Sequence, residues 1–434
     1  MDDVLKLGIA GLGTVGASTV RLLQTKADQM TVRCGRPVAV TAVTARDKTR
    51  DRGVDLSACT WFDDAIAMAA SDDIDVFVEL MGGSGDPALT AVQTALENGK
   101  HVITANKALL AAHGGELARL AEAKGVSLNY EAAAAGGIPI VKTMREAMVA
   151  NDVQHIYGIM NGTCNYILTR MELEEMSFED CLADAQRLGY AEADPTFDIE
   201  GFDTAHKLAL LTSLAFGTEI AGDDIYVEGI TKITLDDVRA ADELGYRIKL
   251  LGVAQRTDTG IEQRVHPTMV PKTSAIAQID GVTNAVAIDA DAVGTLTLAG
   301  PGAGGDATAS AVIGDVADIA RGIMVPTCGQ AVETLKPYTR ARMRKHEGGY
   351  YIRLAVFDRT GAFAAIATRM AEADISLESI VQKQPDGDNQ PSDQKVAVLI
   401  THDTTEQAVR DALAKIAEDG HIAGQAQMIR IEKL

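Results

Sequence analysis

The sequence predicts a multidomain chain of mixed α/β and α+β class. A parallel-sheet domain comes first, an α+β section follows, and a small ferredoxin-like unit ends the chain. Three observations carry this. Residues 1–135 alternate short apolar runs with helix-spaced stretches, the signature of βαβ units. After residue 136 the texture changes to helices mixed with longer strand-like runs. From 350 to 434 the pattern reads strand, helix, strand, strand, helix, strand. With 434 residues the chain is too long for one ordinary core. The divisions expected are therefore 1–135, 136–335, a linker at 336–349, and 350–434.

In the first domain "KLGIAGLG" is a strand and turn, and "VGASTVRLLQTKA" has helical spacing. "VAVTAVTA", "DIDVFVELMGG", "HVITANK" and "VSLNYEA" supply further strands, with a helix over 108–124 between the last two. In the second section "GGIPIVKTMREAMVA" opens a helix with Pro139 near its first turn, where proline is tolerated. "HIYGIM", "IKLLGVAQ", "IEQRVHPTMV" and "AVAIDADAVGTLTLAG" read as strands, antiparallel by expectation. "GPGAGGDATASAVIGDVADIA" is a glycine-rich loop running into a helix after 305, expected to pack back on the first domain. The linker carries Arg340, Arg342, Arg344 and Lys345 and reads as a solvated connector rather than an anion site.

Charge and cysteine content exclude several function classes. The formal net charge of −21 opposes phosphate backbones and anionic membranes, so neither nucleic acid nor membrane is an expected partner. Five cysteines without a C-x-x-C pair give no disulfide framework and no zinc site. Met1-Asp2-Asp3 lacks the cationic start of a secretory signal, and no apolar run approaches the ~18 residues of a membrane span. A reducing cytoplasm is the expected location.

"GIAGLGTVG" places Gly11, Gly13 and Gly16 in G-x-G-x-x-G spacing between a strand and a helix. That is the context of a Rossmann dinucleotide site, where a helix N-terminus meets a pyrophosphate. The cofactor-binding candidates there are Gly11, Leu12, Gly13, Thr14, Val15 and Gly16. The second strand runs into Arg46, which suits the 2′-phosphate of NADP; Asp47 beside it suits the ribose of NAD. NADP is favoured, with NAD as the alternative.

Two stretches stand out for chemistry. "ITANK" leaves Lys107 just past the carboxyl end of a strand, the edge where open α/β sheets bind ligands. "GYAEADPTFDIEGFDTAHKLALL" gathers Glu192, Asp194, Asp198, Glu200 and Asp203 before a helix. Asp203 and Lys207 lie four apart, on one face of that helix. Since "LALLTSLAF" continues apolar all round, a lysine there is buried beside carboxylates, costly as decoration and useful as chemistry. His206 reads as a neutral helix histidine and Cys164 as a small packing residue.

In order along the chain, "GLGTVG", "TANKALLA", "YEAAAAGGIPI", "NGTCNYILTRM", "GYAEADPTFDIEGFDTAHKL" and "GPGAGGDATASAV" resemble the homoserine dehydrogenase family. The likeness is to its longer bacterial type, which carries a C-terminal ACT domain. The resemblance implies reversible NAD(P)H-dependent reduction of L-aspartate 4-semialdehyde to L-homoserine, in threonine, methionine and isoleucine biosynthesis. It makes Lys207 the proton donor, Asp203 its holder, and Lys107 a positioning cation that also borders the cofactor. Glu192, Asp198, Gly162 and Thr163 become substrate-binding. A monovalent cation, usually sodium, falls to the carbonyls of Glu131, Ala134, Gly136 and Ile138. A homodimer through the middle section is implied, or a homotetramer if the C-terminal units also pair. Family members often read D-R-P-G after the first strand of that unit; here Thr360 replaces the proline, which puts an amino-acid effector such as threonine in doubt. Two other readings remain. An acylating dehydrogenase would need an activated thiol that the sequence lacks; a non-catalytic amino-acid and NADP sensor would not need Lys107 and Lys207.

Overall fold

A computed structural model describes residues 4–341, 347–383 and 394–432. Its first sheet has six strands: β1 (Leu5–Ala10), β2 (Val38–Thr44), β3 (Thr60–Trp61), β4 (Val76–Glu79), β5 (His101–Thr104) and β6 (Leu128–Asn129). All pairings are parallel and the order is β3-β2-β1-β4-β5-β6. The direction of winding reverses between β1 and β4, which opens a ligand crevice at their carboxyl ends. β1 and β4 are apolar on both faces because helices cover both sides. The sequence reading missed β3, whose two residues are too few to show a period.

The second sheet begins with β7 (Val153–Ile159), β8 (Tyr226–Val227), β9 (Tyr246–Thr257), β10 (Gly260–Pro271), β11 (Thr283–Ala290) and β12 (Gly294–Pro301). Its order there is β12-β11-β7-β9-β10, antiparallel throughout. "AVAIDADAVGTLTLAG", read above as one strand, is a hairpin of β11 and β12, turned just before Gly294 at φ +74°. The helices Gly162–Glu174 and Phe202–Phe216 pack on this sheet through Ile167, Leu208 and Leu211. The helix Gly305–Ala320 does cross back to the first sheet. Val312, Val316 and Ile319 share a core with Leu7, Ile9 and Val20, and Asp306 pairs with Arg21.

The last strands are β13 (Glu347–Phe357), β14 (Leu377–Lys383), β15 (Gln394–Thr401), β16 (Thr404–Thr405) and β17 (Ile422–Ile431). With helices Ala362–Glu372 and Glu406–Glu418 they make a βαββαβ unit, ordered β17-β13-β15-β14. Strand periodicity divides β13 between two cores. Tyr350, Ile352, Leu354 and Val356 meet the unit's own helices, while Tyr351 faces the middle section and donates to Asp237 at 2.9 Å.

This unit is not free-standing. β17 adds in parallel to β10, with Thr268 opposite Arg430, so one sheet runs through both. On the same edge of β10, β8 pairs at Arg264 and Val265. Pro267 falls between the two neighbours, where its missing N–H is least needed. The connector is docked as well: Ile261 N–H donates to Thr339 and Ala341 N–H donates back to Ile261. Arg340 lies 3.8 Å from Asp224, whereas Arg342, Arg344 and Lys345 lie outside the described residues.

A buried charge cluster locks this junction. Glu406, 3% exposed, accepts from Arg430 at 2.6 and 3.0 Å and from Arg264 at 2.9 Å, and Arg410 joins at 2.7 Å. Burial alone would raise the Glu406 carboxyl, but Arg430, Arg410 and Arg264 outweigh it and bring it to about 2. This folded value lies below the ordinary 4.5, so the contribution to stability is complete above that pH and fades as pH falls toward 2. Glu406→Ala takes the shared carboxylate from two buried arginines, leaving Arg430 only Glu228 at 3.5 Å and Arg264 only Glu262, and urea unfolding at neutral pH should show a loss of about 3 kcal/mol. A loss below about 1 kcal/mol, the worth of a surface pair, would contradict the locking role.

Candidate functional site

The glycine turn follows β1 and each glycine has its own reason. Gly11 has φ +100°, and a side chain there would run into the backbone of Leu80 after β4. A methyl on Gly16 would strike the carbonyl of Gly11, so this position sets how closely helix Thr14–Thr25 approaches the strand. Gly13 caps that helix and faces open space. A tight turn, an open approach and a close helix are the three requirements of a pyrophosphate cradle, so the residues fit a dinucleotide. Thr14 is exposed and Val15 lines the cavity described below. The Leu12 side chain is buried in the core, and its carbonyl accepts from Arg52 Nε at 3.1 Å. Arg46 is exposed two residues beyond Thr44, whose carbonyl accepts from Gly11 N–H at 2.9 Å. Asp47 turns back onto Thr49, accepting from its N–H at 2.8 Å and its hydroxyl at 2.7 Å.

A chain of buried hydrogen bonds fixes Lys107. Glu79, at the end of β4, accepts from the N–H groups of Met81 and Gly82 and from the Thr104 hydroxyl at 2.6 Å. Thr104 accepts from Asn106 N–H at 2.9 Å, and Asn106 caps the next helix by accepting from Leu109 N–H at 3.0 Å. Lys107 is the first residue of that helix, Lys107–Lys124. A cation at a helix N-terminus is unfavourably placed. Its compensation comes from another part of the fold, Asp203 Oδ1 at 3.1 Å.

Asp203 opens the helix Phe202–Phe216, where the dipole favours an anion. Its Oδ2 accepts from Lys207 Nζ at 2.8 Å and from Asn161 Nδ2 at 2.9 Å. Burial alone would raise this carboxyl, but Lys207, Lys107 and Asn161 together hold it well below the usual carboxylate range. It is an anion at every physiological pH. Asn161 also donates to Asp198 at 2.8 Å, while its oxygen caps helix Gly162–Glu174 by accepting from Cys164 N–H. Burial and the charge of Asp203 push Asp198 up, against the pull of Asn161 and both lysines. Lys207, 8% exposed, donates a second bond to the Met160 carbonyl at 2.7 Å. Two of its three protons are thus committed among the described residues, and the third is left for the cavity.

That cavity, of about 510 Å³, lies between the two sheets. Lys107, Asn161, Gly162, Thr163, Asp198, Asp203 and Lys207 line it on one side, and Val15, Ala105, Ala132, Ala133 and Gly136 on another. A third wall is Val282, Asn284 and the loop Pro301–Gly304. Glu192 is exposed and does not line it, although Gly189 and Tyr190 of the same loop do. Glu131, Ala134, Gly136 and Ile138 follow one another between β6 and the turn at Ile140–Lys142. The Glu131 carboxylate is taken by the N–H groups of Val141 and Lys142 at 2.9 and 2.8 Å. Among the described residues no group of three His, Cys, Asp or Glu could hold a metal. Burial pushes the Cys164 thiol well up, and its Sγ donates to the Asp198 carbonyl, so it is no nucleophile. Burial and Lys107 lower His206, keeping it neutral.

Sequence reasoning missed Asn161, Glu79, Tyr190 and Asn284. Asn161 had a signal, an N-cap asparagine before "GTCNYI". The others had none, because their partners are distant in sequence.

A family profile described as homoserine dehydrogenase matches residues 139–317, and one described as homoserine dehydrogenase, NAD binding domain, matches 11–131. The chain is 43% identical to the homoserine dehydrogenase of Pseudomonas aeruginosa, covering 99% of each. It is 42% identical to that of Neisseria gonorrhoeae, again over 99% of each. The crystal structure of a homoserine dehydrogenase from Thiobacillus denitrificans superposes with a TM-score of 0.92 at 42% identity, covering 99% of this chain and 98% of that one.

Asp203→Asn removes the anion shared by two lysines. Turnover should fall by at least about a hundredfold in steady-state assays, with the melting temperature lowered by the uncompensated charge. Turnover within threefold of wild type would remove this carboxylate from the chemistry.

Proposed function

Since the chain belongs to the homoserine dehydrogenase family, an NAD(P)-dependent oxidoreductase family, we propose how its own residues reduce L-aspartate 4-semialdehyde to L-homoserine and reverse that reaction. The carrying observation is the uncommitted proton of Lys207, aimed into a cavity that also receives Lys107. When bound, NAD(P)H supplies the hydride. As negative charge grows on the aldehyde oxygen, Lys207 stabilises it and donates the proton that makes the alcohol. Asp203, fixed by Asn161, holds the Lys207 amine oriented toward the cavity. Lys107, tied to the same carboxylate, adds a second positive charge that positions substrate against the cofactor. Asp198 takes the substrate ammonium, and the helix start at Gly162 and Thr163 takes its carboxylate. Glu192, exposed and off the cavity wall, takes no part in this arrangement.

The preferred cofactor is NADP. Arg46, exposed two residues past the end of β2, is available to a 2′-phosphate, and Asp47, which would grip a ribose hydroxyl, is engaged with Thr49. A monovalent cation fits the carbonyls of Glu131, Ala134, Gly136 and Ile138 better than a divalent one would, since the one carboxylate there is already taken. Its place would be structural. The βαββαβ unit supports an ACT-type regulatory domain, with Thr360 in the exposed loop before helix Ala362–Glu372 weakening an effector such as threonine. β12 is an outer edge strand with alternate exposed residues and suits a homodimer; pairing of C-terminal units would extend it to a homotetramer. No helix among the described residues is long and apolar enough to cross a membrane.

NADPH oxidation with aspartate semialdehyde, with and without threonine, tests the reaction and its regulation together. Lys207→Ala should lower turnover by at least about a hundredfold while NADPH still binds; unchanged turnover would assign the proton to another group. Arg46→Ala should raise the Kd for NADPH and spare that for NADH. Equal losses for both would refute the phosphate contact.

A further inference from the structure

The third wall of the cavity holds a polar group that no step above uses. Asn284 is 1% exposed and lines the cavity, yet its side-chain oxygen has no hydrogen-bond partner among the described residues. Burying an amide oxygen without a partner is unfavourable, and such a cost persists where a ligand offsets it. The side chain is also held in place. Asn284 pairs with Gly300 across β11 and β12, and it fills the space a side chain on Gly302 would need.

Its surroundings distinguish between the two ligands of this cavity. The Gly302 carbonyl lies against Gly136, on the wall formed after β6, so closely that Gly136 has no room for a side chain. Gly305, three residues on, lies against Thr14 and Ser18 of the helix that begins at the glycine turn. Asn284 thus stands between a segment laid along the dinucleotide side and the helix start at Gly162, where a side chain would come within 3.6 Å of its oxygen. The substrate's charged ends already have charged or helix-terminal partners in Asp198, Gly162 and Thr163. A neutral amide is left for a neutral amide.

We propose that Asn284 accepts a hydrogen bond from the carboxamide N–H of the nicotinamide ring, fixing which face of the ring turns toward the substrate. This inference rests on the dinucleotide reading above. Its test is equilibrium binding by fluorescence, without substrate, of NADPH and of the reduced 3-acetylpyridine analogue, which lacks the carboxamide N–H. Asn284→Ala should weaken NADPH by about tenfold and leave the analogue nearly unchanged. Asn284→Leu, which keeps the volume packed on Gly302, should do the same and covers an unstable alanine variant. Equal losses for both coenzymes, no loss for either, or a rise only in the KM for the semialdehyde would overturn the assignment. Wild-type turnover of the semialdehyde tests the reaction separately, since the binding measurement needs none.

Discussion

Asp203 is a buried anion with a cation on each side, and the two cations arrive on helices packed against different sheets. Lys207 comes from its own helix, one turn on, and Lys107 from the first turn of a helix in the dinucleotide domain. Neither lysine is well placed alone. One is nearly buried, and the other sits at the positive end of a helix dipole. The shared carboxylate resolves both problems, and in doing so joins the dinucleotide domain to the second sheet at the cavity they line together. The remaining polar groups serve that arrangement: Asn161 orients the acid, Met160 takes one lysine proton, and Glu79, Thr104 and Asn106 set where Lys107 starts.

The turn that leads into Asp203 is also held from behind. Gly201, with φ +87°, lets the helix of Asp203 begin directly against Val227 of β8 and Val265 of β10. Ile230 N–H donates to the Ile199 carbonyl, and Thr231 donates to Glu200. Those strands meet the Glu406 cluster through Arg264, and Arg430 reaches Glu228 at 3.5 Å. Contiguous hydrogen bonds and ion pairs therefore run from the C-terminal unit to the loop carrying Asp198 and Asp203. Continuity of contact is not itself energetic coupling; it does mean that the loop rests on a rigid support.

Much of this was legible in the sequence, and what was not shares a physical cause. The glycine turn and the Asp203–Lys207 pair were readable because their geometry is local, a turn fingerprint and an i,i+4 spacing. The helix after 305 was legible as the continuation of a glycine-rich loop. Lys107 could be placed at a strand end, but its bond to Asp203 joins residues 96 positions apart in sequence and has no local signature. The same holds for Glu79 and Asn284, whose meaning depends on what faces them. The C-terminal unit's internal order was visible in its strand–helix alternation. Its merger with β10 was not, since parallel addition needs no turn signal.

That merger has a consequence for how the molecule is made. β10 is complete by residue 271, yet the strand lying beside its far end belongs to residues 422–431, which leave the ribosome much later. Throughout the intervening synthesis the nascent substrate domain carries an open edge, with unpaired main-chain groups available to any passing strand. Native closure of the long sheet therefore waits until residue 431 has been made. A chain without residues 422–431 would lose more than a distal module; it would leave β10 with a sticky seam.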